Sequence, residues 1–141
     1  IIRPFLIFGP GQNQDRLIPI VIKNCIKNKK FPCSDGEQIR DFLYVSDFIN
    51  IVIKVIKSDK AKNIIFNAGS GKPIKVKKVI KLINSNIKKG FPQFGKILLR
   101  NDEPKKLYAN INLLRKILKW KPKITLEKGI KKTIKFYQNL N

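Results

Sequence analysis

Apolar positions recur along this chain in two rhythms, and together they predict strands alternating with helices. Residues 1–8 are almost continuously apolar, the pattern of a strand buried on both faces of a parallel sheet, and Gly9-Pro10-Gly11 ends it in a turn. From there the spacing becomes helical. A helix is predicted over residues 16–28, capped by Asp15, with Pro19 in its first turn and Ile18, Ile22, Cys25 and Ile26 as the inward stripe. Residues 42–45 predict a short strand. The helix after it starts at Ser46 or Asp47 and buries Phe48, Ile51, Val52, Val55 and Ile56. A strand over residues 64–67 is broken by Gly69-Ser70-Gly71, and Val76, Val79, Ile80, Ile83 and Ile87 follow at helical spacing. Residues 89–93 read as a loop and 96–100 as a strand. Asn110 caps a short helix through Leu113, Leu114, Ile117 and Leu118, and Thr125 caps a last one with Leu126, Ile130, Ile134 and Tyr137 inward. Strands in alternation with helices indicate an α/β architecture.

The length, 141 residues with 43% hydrophobic content, suits one ordinary domain. No run of about 18 apolar residues exists and no signal-peptide pattern opens the chain, so a cytoplasmic protein that makes no membrane contact is expected. With no histidine and two cysteines, Cys25 and Cys33, no metal ligand set is assigned, and both thiols are expected to be buried or neutral. The absence of methionine and the opening on a strand already in progress lead us to expect a fragment.

The net charge of +22 raises a nucleic-acid reading. The lysines recur on the polar sides of several amphipathic segments instead of forming one stripe, and heavy use of Ile, Lys and Asn is what AT-rich codons produce. A basic nucleic-acid-binding module is therefore kept only as the alternative. Arginine is scarce: Arg3, Arg16, Arg40, Arg100 and Arg115. Where lysine is abundant, an arginine points to a need for the planar fork that grips phosphate or carboxylate with two parallel hydrogen bonds.

Four segments occur in a telling order: residues 3–12 (RPFLIFGPGQ), 16–19 (RLIP), 36–47 (GEQIRDFLYVSD) and 66–71 (FNAGSG). Residues 100–103 (RNDE), 108–110 (YAN), 118–122 (LKWKP) and 126–130 (LEKGI) complete the series. The series resembles the second half of the extended short-chain dehydrogenases/reductases, the NAD-dependent epimerases, dehydratases and ketoreductases of nucleotide sugars. Phe31-Pro32-Cys33-Ser34 with residues 91–95 (FPQFG) is most similar to their CDP-abequose-synthase-like ketoreductase branch.

The resemblance implies a C-terminal substrate-binding portion of a Rossmann-type enzyme. Residues 1–12 would be the last strand and turn of the Rossmann sheet, and 13–141 a substrate-binding subdomain. It implies that Arg40 and Arg100 grip the substrate diphosphate and that Arg16 and Leu17 line the nucleotide site at a helix start. It places Pro4 and Phe5 near the nicotinamide of NAD or NADP, and it implies a homodimer in the intact enzyme. Asp41 is expected to orient the loop backbone or Arg40, and Phe42 and Tyr44 to be core residues. Three positions depart from the family: Leu6 stands where asparagine is common, Ser34 where an aromatic is common, and Lys119 where relatives place glycine, which is expected to cost helix-end stability if that position must be left-handed. The family's Gly-x-x-Gly-x-x-Gly loop and Tyr-x-x-x-Lys pair do not occur, so no catalytic residue is assigned and the chain alone is expected to be inactive, with most of the cofactor held by an amino-terminal half. A non-catalytic nucleotide-sugar-binding domain is a further alternative.

Overall fold

The structure is a computed structural model and describes residues 1–140. It is α/β, with nine short strands and five helices among the described residues. The opening segment forms two strands, β1 (Ile2–Pro4) and β2 (Leu6–Phe8), where one was expected. The break lies at Phe5, where the chain changes partner. The Phe5 N–H donates to the Ala68 carbonyl at 2.9 Å, whereas the Leu6 N–H donates to the Asp41 carbonyl at 3.3 Å on the opposite side. Accordingly β1 runs parallel to β6 (Phe66–Ala68), and β2 runs parallel to β5 (Phe42–Tyr44). Burial on both faces is not found here: within residues 1–8 only Phe8 is buried.

Helix α1 (Leu17–Ile26) buries Ile18, Ile22 and Cys25 as expected, but Asp15 does not cap it; Arg16 holds the cap position with no side-chain bond. Helix α2 (Val45–Ile56) follows β5 with no intervening loop, so neither Ser46 nor Asp47 caps it. Asp47 is buried and accepts from the Lys123 and Ile124 N–H groups at 3.0 and 2.9 Å, pinning the segment before the last helix. Ile56, expected inside, is 78% exposed. After a 3₁₀ turn (Asp59–Ala61), β6 and the Gly69-Ser70-Gly71 turn, β7 (Ile74–Lys75) leads into α3 (Val76–Ile87). That helix buries Val76, Val79, Ile80 and Ile83 at the predicted spacing.

Two expectations for residues 89–100 fail. Residues 91–93 are a strand, β8 (Phe91–Gln93), paired in parallel with β3 (Lys30–Pro32). Residues 96–100 form no strand, because they find no ladder partner, and Ile97, Leu98 and Leu99 stay exposed. Helix α4 (Asn112–Leu118) starts where the Asn110 carboxamide accepts from the Asn112 N–H at 3.0 Å; Leu113, expected inside, is exposed. Lys119 ends it in the left-handed region at φ 49°, the conformation anticipated from its place in the sequence. Helix α5 (Leu126–Gln138) is capped by Thr125, which accepts from the Lys128 N–H at 3.3 Å.

The core has two parts. One joins α1, α3 and α5 around Phe8, with the Phe42 and Tyr44 rings meeting Phe8 edge-on at 6.4 and 5.5 Å; Cys25 and Cys33 lie in it as free buried thiols. The other gathers Leu43, Ile51, Phe66, Leu114 and Trp120 under α2 and α4.

Candidate functional site

The site is built on a small sheet of order β7-β4-β9, in which β4 (Ile39–Arg40) is the middle strand. It pairs antiparallel with β7 and parallel with β9 (Lys106–Leu107), with Arg40 opposite Ile74 and Leu107. This register carries Arg40 beneath the segment before β9. The side chain is buried, and its Nη1 donates to the Ile39 and Pro104 carbonyls, both at 2.8 Å. Nη2 is ion-paired with Glu103 Oε1. Three of the five guanidinium donors are thus engaged.

The other carboxylate oxygen of Glu103, Oε2, lies 3.5 Å from Arg100 Nη2, and Arg100 Nε lies 3.9 Å from Asp102. One carboxylate therefore touches two arginines that are sixty positions apart in sequence. Arg40 holds the Glu103 carboxyl below the usual carboxylate range, first through its hydrogen bond, with Arg100 adding to the effect. Arg100 is 79% exposed, so its fork faces water while Arg40's is fixed.

Asp41 turns the other way. Its carboxylate accepts from the Ser70 N–H (2.7 Å), the Ser70 hydroxyl (2.6 Å), the Gly71 N–H (2.9 Å) and the Ala109 N–H (3.2 Å). It orients loop backbone, one of the two roles expected of it, and makes no hydrogen bond with Arg40 among the described residues. Gly69 is required beside it: a Cβ there would stand 2.4 Å from Ala109 Cβ and 2.6 Å from Asp41 Oδ2.

Arg40 and Leu17 meet in a cleft of about 350 Å³, with Leu6, Phe31, Ser34 and Gln38 among its walls. Leu99 also lines it, which puts the start of the Arg100 segment at its rim. Arg16 lies outside this lining, two-thirds exposed, 3.7 Å from Asp15. Pro4 and Phe5 line a separate concavity with Arg3, Asn67 and Leu107, and Leu6 is a wall of both. A cleft of similar volume between the Gly-Ser-Gly turn and the start of α5 contains Lys72, Lys78 and Glu127 but none of the arginines. Among the described residues no group of acidic, histidine or cysteine side chains could hold a metal, and no helix is long and apolar enough to cross a membrane.

Sequence reasoning missed Glu103 and Gln38. The first stood inside a quoted motif, but its bridging depends on the β4–β9 register, which no local pattern carries. Gln38 alternates with Arg40 along β4 and its neighbours; its Nε2 donates to Ser34 Oγ at 3.3 Å, while its Oε1 is buried without a partner among the described residues.

A family model described as the NAD dependent epimerase/dehydratase family matches residues 1–69. CDP-abequose synthase of Salmonella muenchen is 29% identical over 130 residues, covering 91% of this chain and 44% of the relative. Pal from Bacillus thuringiensis has a similar structure (TM-score 0.89, 35% identity), covering 99% of this chain and 45% of Pal. UDP-glucuronic acid 4-epimerase from Bacillus cereus, solved in complex with UDP-glucuronic acid and NAD, matches with a TM-score of 0.89 and 25% identity over 100% of this chain and 45% of its own. The chain spans less than half the length of these relatives.

Proposed function

Because the chain belongs to the NAD-dependent epimerase/dehydratase family, we propose that it is the C-terminal, substrate-binding portion of an enzyme acting on a nucleotide sugar, with Arg40 and Arg100 gripping the diphosphate. The observation that supports this reading is the meeting of the two arginines on Glu103 at the rim of the Leu17 cleft. A diphosphate presents two adjacent anionic groups. The fixed fork of Arg40 meets one of them, and the exposed fork of Arg100 closes on the other. Each such charge-assisted contact contributes about 1.5–3 kcal/mol. Leu17, Phe31 and Ser34 supply the wall for the nucleoside. Arg16, just outside the cleft, adds its charge at the start of α1.

The same reading gives Pro4 and Phe5 a place beside the nicotinamide of NAD or NADP. These residues offer an apolar surface only, and the chain has neither a glycine-rich phosphate cradle nor a Tyr-x-x-x-Lys pair, so on their own they do not fit a whole dinucleotide. The bulk of the cofactor site and the proton-transferring groups then belong to the part of the enzyme that this chain does not contain, and the working enzyme is a homodimer. The contribution of this chain is to fix the sugar's position by its diphosphate, which lowers the entropic part of the barrier.

Calorimetric titration of the chain with UDP, CDP and dTDP tests this. Binding should weaken about tenfold or more in Arg100→Ala, whose exposed side chain can be removed without touching the core, and in Arg40→Lys, which keeps the charge but loses the fork. Equal affinity in both variants and the parent would sink the reading. A preference for CDP over UDP would assign the chain to the CDP-sugar branch.

A further inference from the structure

Two buried carboxylates from one short stretch of chain, Asp41 and Asp47, pin the walls of the cleft that the arginines do not reach. Asp41 accepts from the Ser70 and Gly71 N–H groups at 2.7 and 2.9 Å and fixes the turn on one side. Asp47 accepts from the Lys123 and Ile124 N–H groups at 3.0 and 2.9 Å and fixes the segment on the other. Between them lies a space of about 360 Å³, lined also by the buried Phe42. Walls held by charge-assisted hydrogen bonds are in place before any ligand arrives, as in most small-molecule sites.

One wall contributes Lys72, Pro73 and Lys78, and the other Pro122, Leu126 and Glu127. Of the 9 acidic residues in the chain, Glu127 alone has neither an ion pair nor a side-chain hydrogen bond among the described residues. Even exposed carboxylates such as Glu37 and Asp59 hold a lysine, at 2.6 and 2.9 Å. Glu127 shares its cleft with two lysines, yet neither ammonium group pairs with it or with any other carboxylate among the described residues. Its place in the first turn of α5 favours a negative charge but supplies no cation to meet it. The fold thus keeps charges of opposite sign on separate walls with an apolar lining between them.

We propose that this cleft is a second ligand site, for a small zwitterion with a large apolar group, of the class of the apolar α-amino acids. The ligand's carboxylate lies between Lys72 and Lys78, its ammonium meets Glu127, and its side chain covers Pro73, Pro122 and Leu126. A cation alone would leave both lysines without a partner, and an anion alone would leave Glu127 without one. Only a ligand carrying both charges satisfies the two walls at once. Phe42 also lines the Arg40 and Leu17 cleft, so the two spaces lie on either side of one residue and share no other. The inference uses neither arginine and stands apart from the diphosphate reading.

The test is amide NMR of the full chain titrated with L-phenylalanine, with 2-phenylethylamine and with 3-phenylpropanoate, the last two lacking in turn the carboxylate and the ammonium. L-Phenylalanine should saturate, with shifts centred on residues 70–74 and 124–127, and should bind at least about fivefold more tightly than either analogue. Glu127→Gln should abolish its advantage over phenylpropanoate and keep that over phenylethylamine, and Lys72→Gln/Lys78→Gln should do the reverse. All three residues are exposed, so both variants keep the fold. Shifts that do not saturate, that spread over the lysines of other helices, or that are alike for the three compounds overturn the proposal. So does an advantage that survives in both variants, or displacement of L-phenylalanine by UDP. UDP binding itself is followed at Leu17 and Arg40, so either site can fail while the other stands.

Discussion

Arg40 and Glu103, 63 positions apart, are joined in an ion pair whose side chains are only 8% and 23% exposed. The carboxylate reaches this position because β9 lies parallel to β4, and the two carbonyls on Arg40 Nη1 hold the guanidinium in place to meet it. Glu103 titrates below its ordinary value in the folded chain, so its contribution to stability is complete above the unfolded carboxylate pKa of about 4.3 and is lost as pH falls through the lower folded value. Glu103→Gln should therefore melt below the parent at about pH 6, and the two curves should converge as pH falls through that lower folded value. The melt can be followed through Trp120, which is buried. Parallel curves at all pH values would show that the pair contributes nothing.

The Asp41 carboxylate gathers four donors from two loops that are otherwise far from it in sequence, two of them from Ser70. Asp41→Asn keeps the shape but sets an NH₂ group against N–H donors. Hydrogen bonds to a buried charged group are worth about 1.5–3 kcal/mol each, so a loss of about 2–4 kcal/mol in urea unfolding is expected. The Gly-Ser-Gly turn and the backbone at Ala109 should lose amide protection first, ahead of α3. A uniform loss of protection would mean that Asp41 acts through the global fold alone.

The helices were legible because their apolar spacing is long enough to be a pattern. Val76, Val79, Ile80 and Ile83 declare the inner face of α3, and Thr125 declares the start of α5. The two- and three-residue strands were not, since a period of two has no meaning over Ile39–Arg40 or Lys106–Leu107. Residues 96–100 look more strand-like than residues 91–93, which contain Pro92, yet only the latter meet a partner, at Lys30–Pro32. For the site, scarcity marked five arginines alike and the family resemblance pointed to Arg40 and Arg100 among them, whereas Glu103 and the bonds from residues 123 and 124 to Asp47 depend on which distant segments the fold brings together.

Gly129 lies within α5, where alanine would ordinarily improve helix propensity by about 1 kcal/mol. Here a Cβ would stand 2.7 Å from Phe8 Cζ and 2.9 Å from Tyr44 Cδ2, inside a pair of rings already in edge contact. Overpacking of this kind costs about 1–3 kcal/mol, which outweighs the propensity gain. Gly129→Ala should be destabilising in urea, with a changed near-ultraviolet signal from Tyr44. A stabilised variant would show that the rings move aside freely.

Lys119 offers the opposite case. It closes α4 at φ 49° and ψ 36°, a left-handed conformation that disfavours residues with a Cβ, and lets the Trp120 N–H donate to the Leu114 carbonyl at 3.2 Å. Lys119→Gly removes the Cβ while keeping that bond, although glycine also gains freedom in the unfolded chain, which offsets part of the benefit. The balance should favour the variant by about 0.5–1 kcal/mol, read as a higher urea midpoint at unchanged slope. Lys119→Ala separates the two effects: it keeps the Cβ and the strain, and should show no such gain. If alanine stabilised the chain as much as glycine, the relief would come from losing the lysine side chain and its charge, and the backbone argument would fail.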